Sequence, residues 1–293
     1  MNNKYGLYSE DIPRFIKEYG IYTLLDLTLF SKRLKELGLI NLVEDKDKDR
    51  LYSRGSQILE RGKKRIIFPI GFKEIDNLLN GGVYTGMITD FYGGSGVGKT
   101  QICFQLCANT AEYFKKNNLN GLIIFVDTVG TFRPERIVEI AKARDFCSEE
   151  CLNKIKIVNV RSVLDQLALK NKFENLAHNF NVKLIIIDNL TNNFLCEYQN
   201  ENQLIKRQSG LAKHLHDLAL IALKHDLAIV VTNNVRERIE RLQEEECGGN
   251  VIIQTIHKRV YLKREGDKWV ASIHGRKAYF KISNKGIVNI DED

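Results

Sequence analysis

Ile88-Thr89-Asp90-Phe91-Tyr92-Gly93-Gly94-Ser95-Gly96-Val97-Gly98-Lys99-Thr100-Gln101 runs from a strand-like apolar stretch through a glycine-rich turn into a helical pattern carrying Ile102, Gln105 and Leu106. A loop of this composition turns its backbone N–H groups inward around phosphate oxygens, and the helix N-terminus that follows adds a positive dipole end. In the GxxxxGKT pattern the lysine, here Lys99, neutralises β/γ-phosphate charge and the hydroxyl of Thr100 ligates Mg²⁺. Gly93, Gly94, Ser95, Gly96, Val97, Gly98, Lys99 and Thr100 are therefore the residues expected to bind a nucleoside triphosphate, with Mg²⁺ the expected metal.

The rest of the chain supplies the frame that such a loop needs. Ile88 to Phe91, Leu122 to Val126, Ile155 to Val158, Leu184 to Ile187 and Ala228 to Val231 are continuous apolar runs of strand length. Strands without polar alternation are covered on both faces, and these are separated by helical patterns at Thr100 to Lys116, Pro134 to Ala143, Leu164 to His178 and Gln203 to Lys224. The expected fold is α/β with a central, mostly parallel sheet. Arg259 to Lys263, Trp269 to Ile273 and Lys277 to Ile282 alternate more and read as antiparallel hairpins extending it. Asp188 ends the apolar run Leu184 to Ile187, which is where a phosphate-loop fold places a carboxylate for the metal's water shell; Asp188 joins Thr100 as an expected metal residue.

Residues 1–50 read as short helices: Ser9 can cap a turn carrying Ile12, Phe15 and Ile16, and Ser31 one carrying Leu34 and Leu37 before Gly38-Leu39. Residues 51–66 are polar and basic and read as a linker, leaving 67–293 as the core. A chain of 293 residues buries about 75 % of its unfolded surface, and 43 % of its residues are hydrophobic. The longest uninterrupted apolar stretch, Leu218 to Leu223, is far below the ~18 residues of a membrane span, and the N-terminus lacks a signal-peptide profile, so a cytoplasmic protein without a membrane partner is expected. Six cysteines with i,i+4 pairs at Cys103/Cys107 and Cys147/Cys151 form neither a disulfide framework nor a zinc spacing.

Lys+Arg total 44 against 37 Asp+Glu, a net charge of +7, and residues 258–285 alone carry nine basic and two acidic residues. Concentrated charge of this kind points to a polyanion-facing surface, although a solvated sheet face would produce the same count.

The residues resemble the RadA-type archaeal and eukaryotic recombinase family of the RecA superfamily. The resemblance runs through Pro69 to Gly82, the phosphate loop with Gln101, Asp127-Thr128-Val129-Gly130-Thr131-Phe132-Arg133-Pro134-Glu135-Arg136, Leu184 to Thr191, Glu197-Tyr198, Arg207-Gln208, Val230 to Asn233 and Gly248-Gly249-Asn250. It implies a RecA-like ATPase core with ATP as the cofactor nucleotide, a small helix-hairpin-helix-like domain in residues 1–50, Gln101 as a further cofactor-binding residue, and stacking of Arg136 on adenine. Two DNA loops are also implied. The first, Glu197 to Arg207, keeps Lys206 and Arg207 but has Glu201 in place of a basic residue. The second, Val235 to Cys247, carries Arg236, Arg238 and Arg241 against five glutamates. An acidic loop of this kind argues against a strong filament-type grip on DNA, and the three arginines can equally pair with glutamates at helical spacing.

The departures from the family pattern are informative. Val129 stands where the family places the glutamate that activates the attacking water, so slow hydrolysis is expected, with Asp127 the candidate substitute and Lys99 and Asn234 the other expected catalytic residues. Asn234 replaces a glutamine, and Gly55 replaces the alanine of the motif that docks one subunit on the next, so self-polymerisation is expected to be weakened. The resemblance thus implies a divergent paralog that acts on single-stranded DNA as an accessory or mediator for the main recombinase or another paralog, nucleoid-associated if archaeal. An ATP-locked protein scaffold and an active strand-exchange ATPase are the alternative readings.

Overall fold

The computed structural model describes residues 55–238 and 243–291. The expected helix-hairpin-helix domain and Arg241 lie outside the described residues. The chain divides into two compact units at Lys64/Arg65. Of the first, helix α1 (Gly55–Lys63) is described, with a Lys63–Glu60 ion pair of 2.7 Å on its surface. The stretch read as a linker carries two turns of helix, which its Gln, Leu, Glu, Arg and Lys content explains, since these are good helix formers.

The second unit opens with β1 (Ile67–Phe68) and α2 (Lys73–Leu78), then β2 (Val83–Tyr84), which pairs with β1. The main body alternates strand and helix: β3 (Ile88–Gly93), α3 (Lys99–Lys116), β4 (Leu122–Asp127), α4 (Pro134–Lys142), α5 (Ser148–Asn153), β5 (Ile155–Asn159), α6 (Val163–Asn179), β6 (Val182–Asp188), α7 (Asn192–Glu197), α8 (Leu204–His225) and β7 (Ala228–Arg238). It closes with β8 (Gln243–Glu246), α9 (Asn250–Thr255), β9 (Lys258–Glu265), β10 (Lys268–Ile273), β11 (Arg276–Ser283) and β12 (Gly286–Val288). The large sheet has the order β12-β11-β10-β9-β3-β7-β6-β4-β5, with β8 on the extended end of β7. Pairing is parallel from β9 to β5 and antiparallel from β9 out to β12. The α/β architecture and the antiparallel C-terminal extension read from the sequence are both present.

Alternate residues of the central strands build two cores. Phe91, Ile123, Phe125, Leu184, Ile186 and Val230 face one side, where α3 adds Ile102, Phe104 and Leu106. Ile88, Ile124, Val126, Ile185, Ile187 and Val231 face the other, where α6 and α8 add Phe173, Leu211, Leu215 and Leu218. Burial on both faces is why these strands lack polar alternation, and it fixes their register because a one-residue slip would exchange the two cores.

Asp76 closes the corner ahead of β2. Its carboxylate accepts the amides of Ile70 (2.6 Å) and Gly71 (3.0 Å), and burial pushes its pKa up to about 6 against the opposing pull of those hydrogen bonds. Asp76→Ala leaves two partly buried amides unpaired and is expected to cost about 1–3 kcal/mol, measured as a lower urea midpoint with an unchanged m-value.

Candidate functional site

The glycine-rich loop lies at the carboxyl end of β3, where adjacent parallel strands end and ligands of open α/β sheets bind. The close approach of neighbouring strands demands glycine at two positions. A Cβ on Gly93 would stand 2.1 Å from the Leu262 carbonyl oxygen of β9, and one on Gly98, whose φ is +92°, would stand 2.6 Å from Ile282 Cδ1. Between them the loop bounds a cavity of about 800 Å³ lined by Ser95, Gly96, Gly98, Lys99, Thr100 and Gln101 and, from other elements, Val129, Arg136, Asp188, Asn234 and Trp269. Val97 turns the other way into the core.

Lys99 Nζ donates to the carbonyls of Gly93 (2.8 Å) and Gly94 (2.6 Å), so the ammonium is folded back on its own loop. Burial lowers its pKa, while the carboxylates of Asp188 and Asp90 act in the opposite sense. An ammonium bonded to neutral carbonyls in a half-desolvated loop gains by exchanging them for phosphate oxygens. Thr100 Oγ1 donates to Asp188 Oδ2 at 2.7 Å, and Thr232 donates to the other oxygen. Burial raises the Asp188 pKa against the two hydroxyl donors. A paired hydroxyl and buried carboxylate at a glycine loop form an all-oxygen set of the kind Mg²⁺ takes, with water completing the shell. The residues present thus fit a nucleoside triphosphate with its metal.

Arg136 on α4 is locked in place. Its Nε donates to Gln101 Oε1 (2.7 Å), Nη1 to Glu139 Oε2 (2.8 Å) and the Asn284 carbonyl (2.9 Å), and Nη2 to the Ser283 carbonyl. All four contacting groups are acceptors near the guanidinium edge, which leaves its position on the cavity wall fixed and suits stacking on a planar base.

Asp127 does not line the cavity. Its Oδ1 accepts the amides of Val129 (3.0 Å), Gly130 (2.6 Å) and Thr131 (3.2 Å), and Oδ2 accepts Phe132 (3.0 Å). Burial pushes its pKa up, but the four amides outweigh it and the net shift is downward. The expected substitute base is instead the clamp of the β4–α4 turn, a correction that follows from the number of donors its two oxygens already satisfy. Val129, held at the tip of that turn, is 49 % exposed and forms part of the cavity wall.

Parts of both expected DNA loops fall in regular elements. Lys206 and Arg207 lie in the first turns of α8; Lys206 Nζ stands 5.2 Å from the Tyr198 ring and Arg207 Nη1 donates to the Tyr198 carbonyl (3.0 Å). The second loop is an antiparallel ribbon of β7 and β8 that places Arg236 opposite Glu245 and Arg238 opposite Gln243, so the helical spacing read from its charges is corrected to cross-strand pairing. Arg236 and Arg207 both act electrostatically on the Cys247 thiol, which brings the two segments to one region.

A buried cluster anchors this ribbon. Arg259 forms a forked contact with Glu246 through Nε (3.0 Å) and Nη2, while Asn233 Nδ2 donates to Glu246 Oε1 (3.0 Å). Asp90 of β3 lies beside Glu246 and is fully buried. Burial, and after it the neighbouring Glu246, push the Asp90 carboxyl well above the usual carboxylate range, against the pull of Arg259 and Lys99. Sequence reading did not single out this cluster or the cavity residues Asn189, Asn192, Trp269 and Ile282. Only Asp90, a charge inside an apolar strand next to the glycine loop, gave a signal.

Fold and cavity together define a RecA-superfamily phosphate-loop protein. The family model described as Rad51 matches residues 61–290. The DNA repair and recombination protein RadA of Cenarchaeum symbiosum (strain A) is 32 % identical over 276 residues, covering 91 % of this chain and 67 % of that protein. The protein of the same description from Aeropyrum pernix is 35 % identical over 207 residues, covering 69 % of this chain and 65 % of its own length. The chain belongs to the Rad51 family of RadA-type recombinases, and it spans about two-thirds of the length of these relatives. Among the described residues no helix is long and apolar enough to cross a membrane.

The raised pKa of Asp90 gives a pH test. A carboxyl whose folded pKa is raised holds its proton where the unfolded chain has lost it, so its contribution to stability is greatest below the unfolded value of 3.8 and declines as pH rises. Asp90→Asn has a similar shape and does not titrate. Its Tm relative to the unsubstituted protein is expected to rise as the pH is raised above 3.8, read by thermal melts across a pH series.

Proposed function

We propose that the chain binds ATP with Mg²⁺ in the glycine-loop cavity, hydrolyses it slowly, and serves homologous recombination and DNA repair as an accessory or mediator on single-stranded DNA. In this reading Lys99 and the loop amides hold phosphates, Thr100 and Asp188 hold the metal, Arg136 carries the base, and Mg²⁺ when bound neutralises charge on the β- and γ-oxygens. The one observation that carries the slow rate is Val129: a hydrocarbon side chain on the cavity wall, at the turn tip where the family resemblance places a general base, with Asp127 fully engaged in holding that turn.

The DNA part is supported by charge. Arg207 and Arg236 converge near Cys247, and exposed Lys268, Arg276 and Lys277 lie on the antiparallel extension. Phosphate contacts of this kind give sequence-independent binding that falls as salt rises. The ribbon's glutamates limit its grip, which supports a loading or remodelling role beside a main recombinase or another paralog over long filaments of this chain alone. The proposed division is a small helical domain over 1–50, a connecting segment over 51–66 and the ATPase core over 67–293.

Two measurements test this reading. Trp269 is the chain's one tryptophan, lines the cavity and directs Nε1 at the Gly96 carbonyl (3.4 Å), so ATP binding is expected to change its fluorescence. Steady-state ATP hydrolysis is expected to be slow and little raised by single-stranded DNA. Val129→Glu is expected to raise it by roughly 10²- to 10⁴-fold. Fast DNA-stimulated turnover in the unsubstituted protein would identify a full strand-exchange enzyme instead, and no DNA affinity at low salt would leave a protein-binding scaffold.

A further inference from the structure

The cavity wall that contains Val129 also contains Asn189, Asn192 and Asn234, alongside Lys99, Thr100 and Asp188, with Asn284 beside Arg136. They do not play equivalent parts. Asn189 is buried and its Oδ1 accepts the Thr191 amide (2.9 Å) and hydroxyl (3.3 Å), so its carboxamide is committed to the β6–α7 corner. Thr191 in turn donates to Asn233 Oδ1 (2.6 Å), which fixes that corner to β7. Asn192 is the first residue of α7, directly after this braced corner. Asn234 follows Asn233 on β7 and pairs in register with Gly93; its amide donates to Asn233 Oδ1 (2.9 Å) and its carbonyl accepts the Cys247 amide (2.8 Å). The backbone at both positions is therefore held, while among the described residues the side-chain carboxamides of Asn192 and Asn234 make no hydrogen bond to protein.

A free carboxamide offers an acceptor oxygen and two N–H donors, enough to hold and orient a water molecule. It is too weak a base to remove a proton in the transition state, which is the task a carboxylate performs. Orientation alone is nevertheless effective in phosphoryl transfer, where an amide side chain can position the attacking water and the reaction is governed largely by placement and charge.

We infer that Asn192, with Asn234 beside it, positions the attacking water at this site in place of the missing carboxylate. The inference rests on the ATP-binding reading above. The water oxygen bonds to the γ-phosphorus, the bond from that phosphorus to the β–γ bridging oxygen breaks, and ADP leaves with the electron pair. The water proton passes to a γ-phosphoryl oxygen, giving ADP and inorganic phosphate without a protein base. Asn192 is a positioning residue for the water.

The test compares Asn192→Ala in two backgrounds, using Trp269 fluorescence for ATP binding and phosphate release for turnover. In the otherwise unsubstituted protein, Asn192→Ala is expected to lower kcat by about tenfold or more, with ATP affinity unchanged within about twofold. In the Val129→Glu background, where a carboxylate handles the water, the same substitution is expected to leave kcat within about threefold. Asn192→Gln, which retains the carboxamide, is expected to recover part of the loss. Unchanged turnover in Asn192→Ala with ATP bound overturns the inference and leaves the nucleotide reading intact. Equal losses in both backgrounds overturn it by showing a structural role, and so does ATP binding with no turnover above buffer in the unsubstituted protein. Absence of ATP binding overturns the nucleotide reading itself, which the fluorescence signal separates from the other outcomes.

Discussion

One carboxylate ties the functional edge of the sheet together. Asp188 ends β6 and accepts hydroxyl donors from Thr100, at the start of the phosphate-loop helix, and from Thr232 on β7. Three elements that are far apart in sequence are thus brought to one buried point at the carboxyl ends of the strands. A buried carboxylate without such donors would take up a proton and lose its value to a cation. The hydroxyls keep it ionisable, and Lys99 stands near enough to add a favourable charge. The result is a hydroxyl and carboxylate oxygens fixed in place by the fold itself, which is what preorganised electrostatics requires.

The β4–α4 turn illustrates how the same residue type can serve structure in one place and chemistry in another. Asp127 and Asp188 lie opposite each other in register on β4 and β6, both at strand ends. Asp188 receives side-chain hydroxyls and faces the cavity. Asp127 receives four consecutive backbone amides, which shape a tight turn and present Val129 at its tip. The turn is therefore built as a rigid platform for whatever side chain follows two residues after the aspartate, and here that side chain is a hydrocarbon.

The strand and helix pattern of the core was legible because burial on both sheet faces leaves an unambiguous apolar signature, and Gly93 to Thr100 could be placed because its chemistry and its strand–helix frame agree. Other features depended on tertiary contacts that no local pattern carries. Asp127 looks like a free acid in the sequence, and only the four amides around it reveal its task. The stretch from Val235 to Cys247 has charges at helical spacing, yet Val235 to Arg238 extend β7 and pair with Gln243 to Glu246 of β8, where Arg259 and Asn233 pin Glu246. Asn192 had no signal at all: an asparagine at a helix start is ordinary capping material, and its place on the cavity wall emerges only when β6, β7 and the loop converge.

The placement of Asn233 and Asn234 bears on how a ligand in the cavity would reach the ribbon. Successive strand residues point to opposite faces. Asn234 lines the cavity, whereas Asn233 is buried on the other side, where it accepts from Thr191 and donates to the Cys247 carbonyl (2.6 Å) and Glu246. Cys247 also returns a backbone hydrogen bond to Asn234. A shift of the β7 backbone at this point therefore strains contacts on both faces at once, and the base of the ribbon is the part with least freedom to ignore it. Glu246 sits at the centre of that base, held by Asn233 on β7 and by the Arg259 guanidinium on β9. Because β7 and β9 both pair with β3, and Asn234 lies in register with Gly93, the ribbon is anchored to the very element that presents the phosphate loop. Coupling between the two needs no long chain of contacts, only the stiffness of β3 and β7 as paired neighbours.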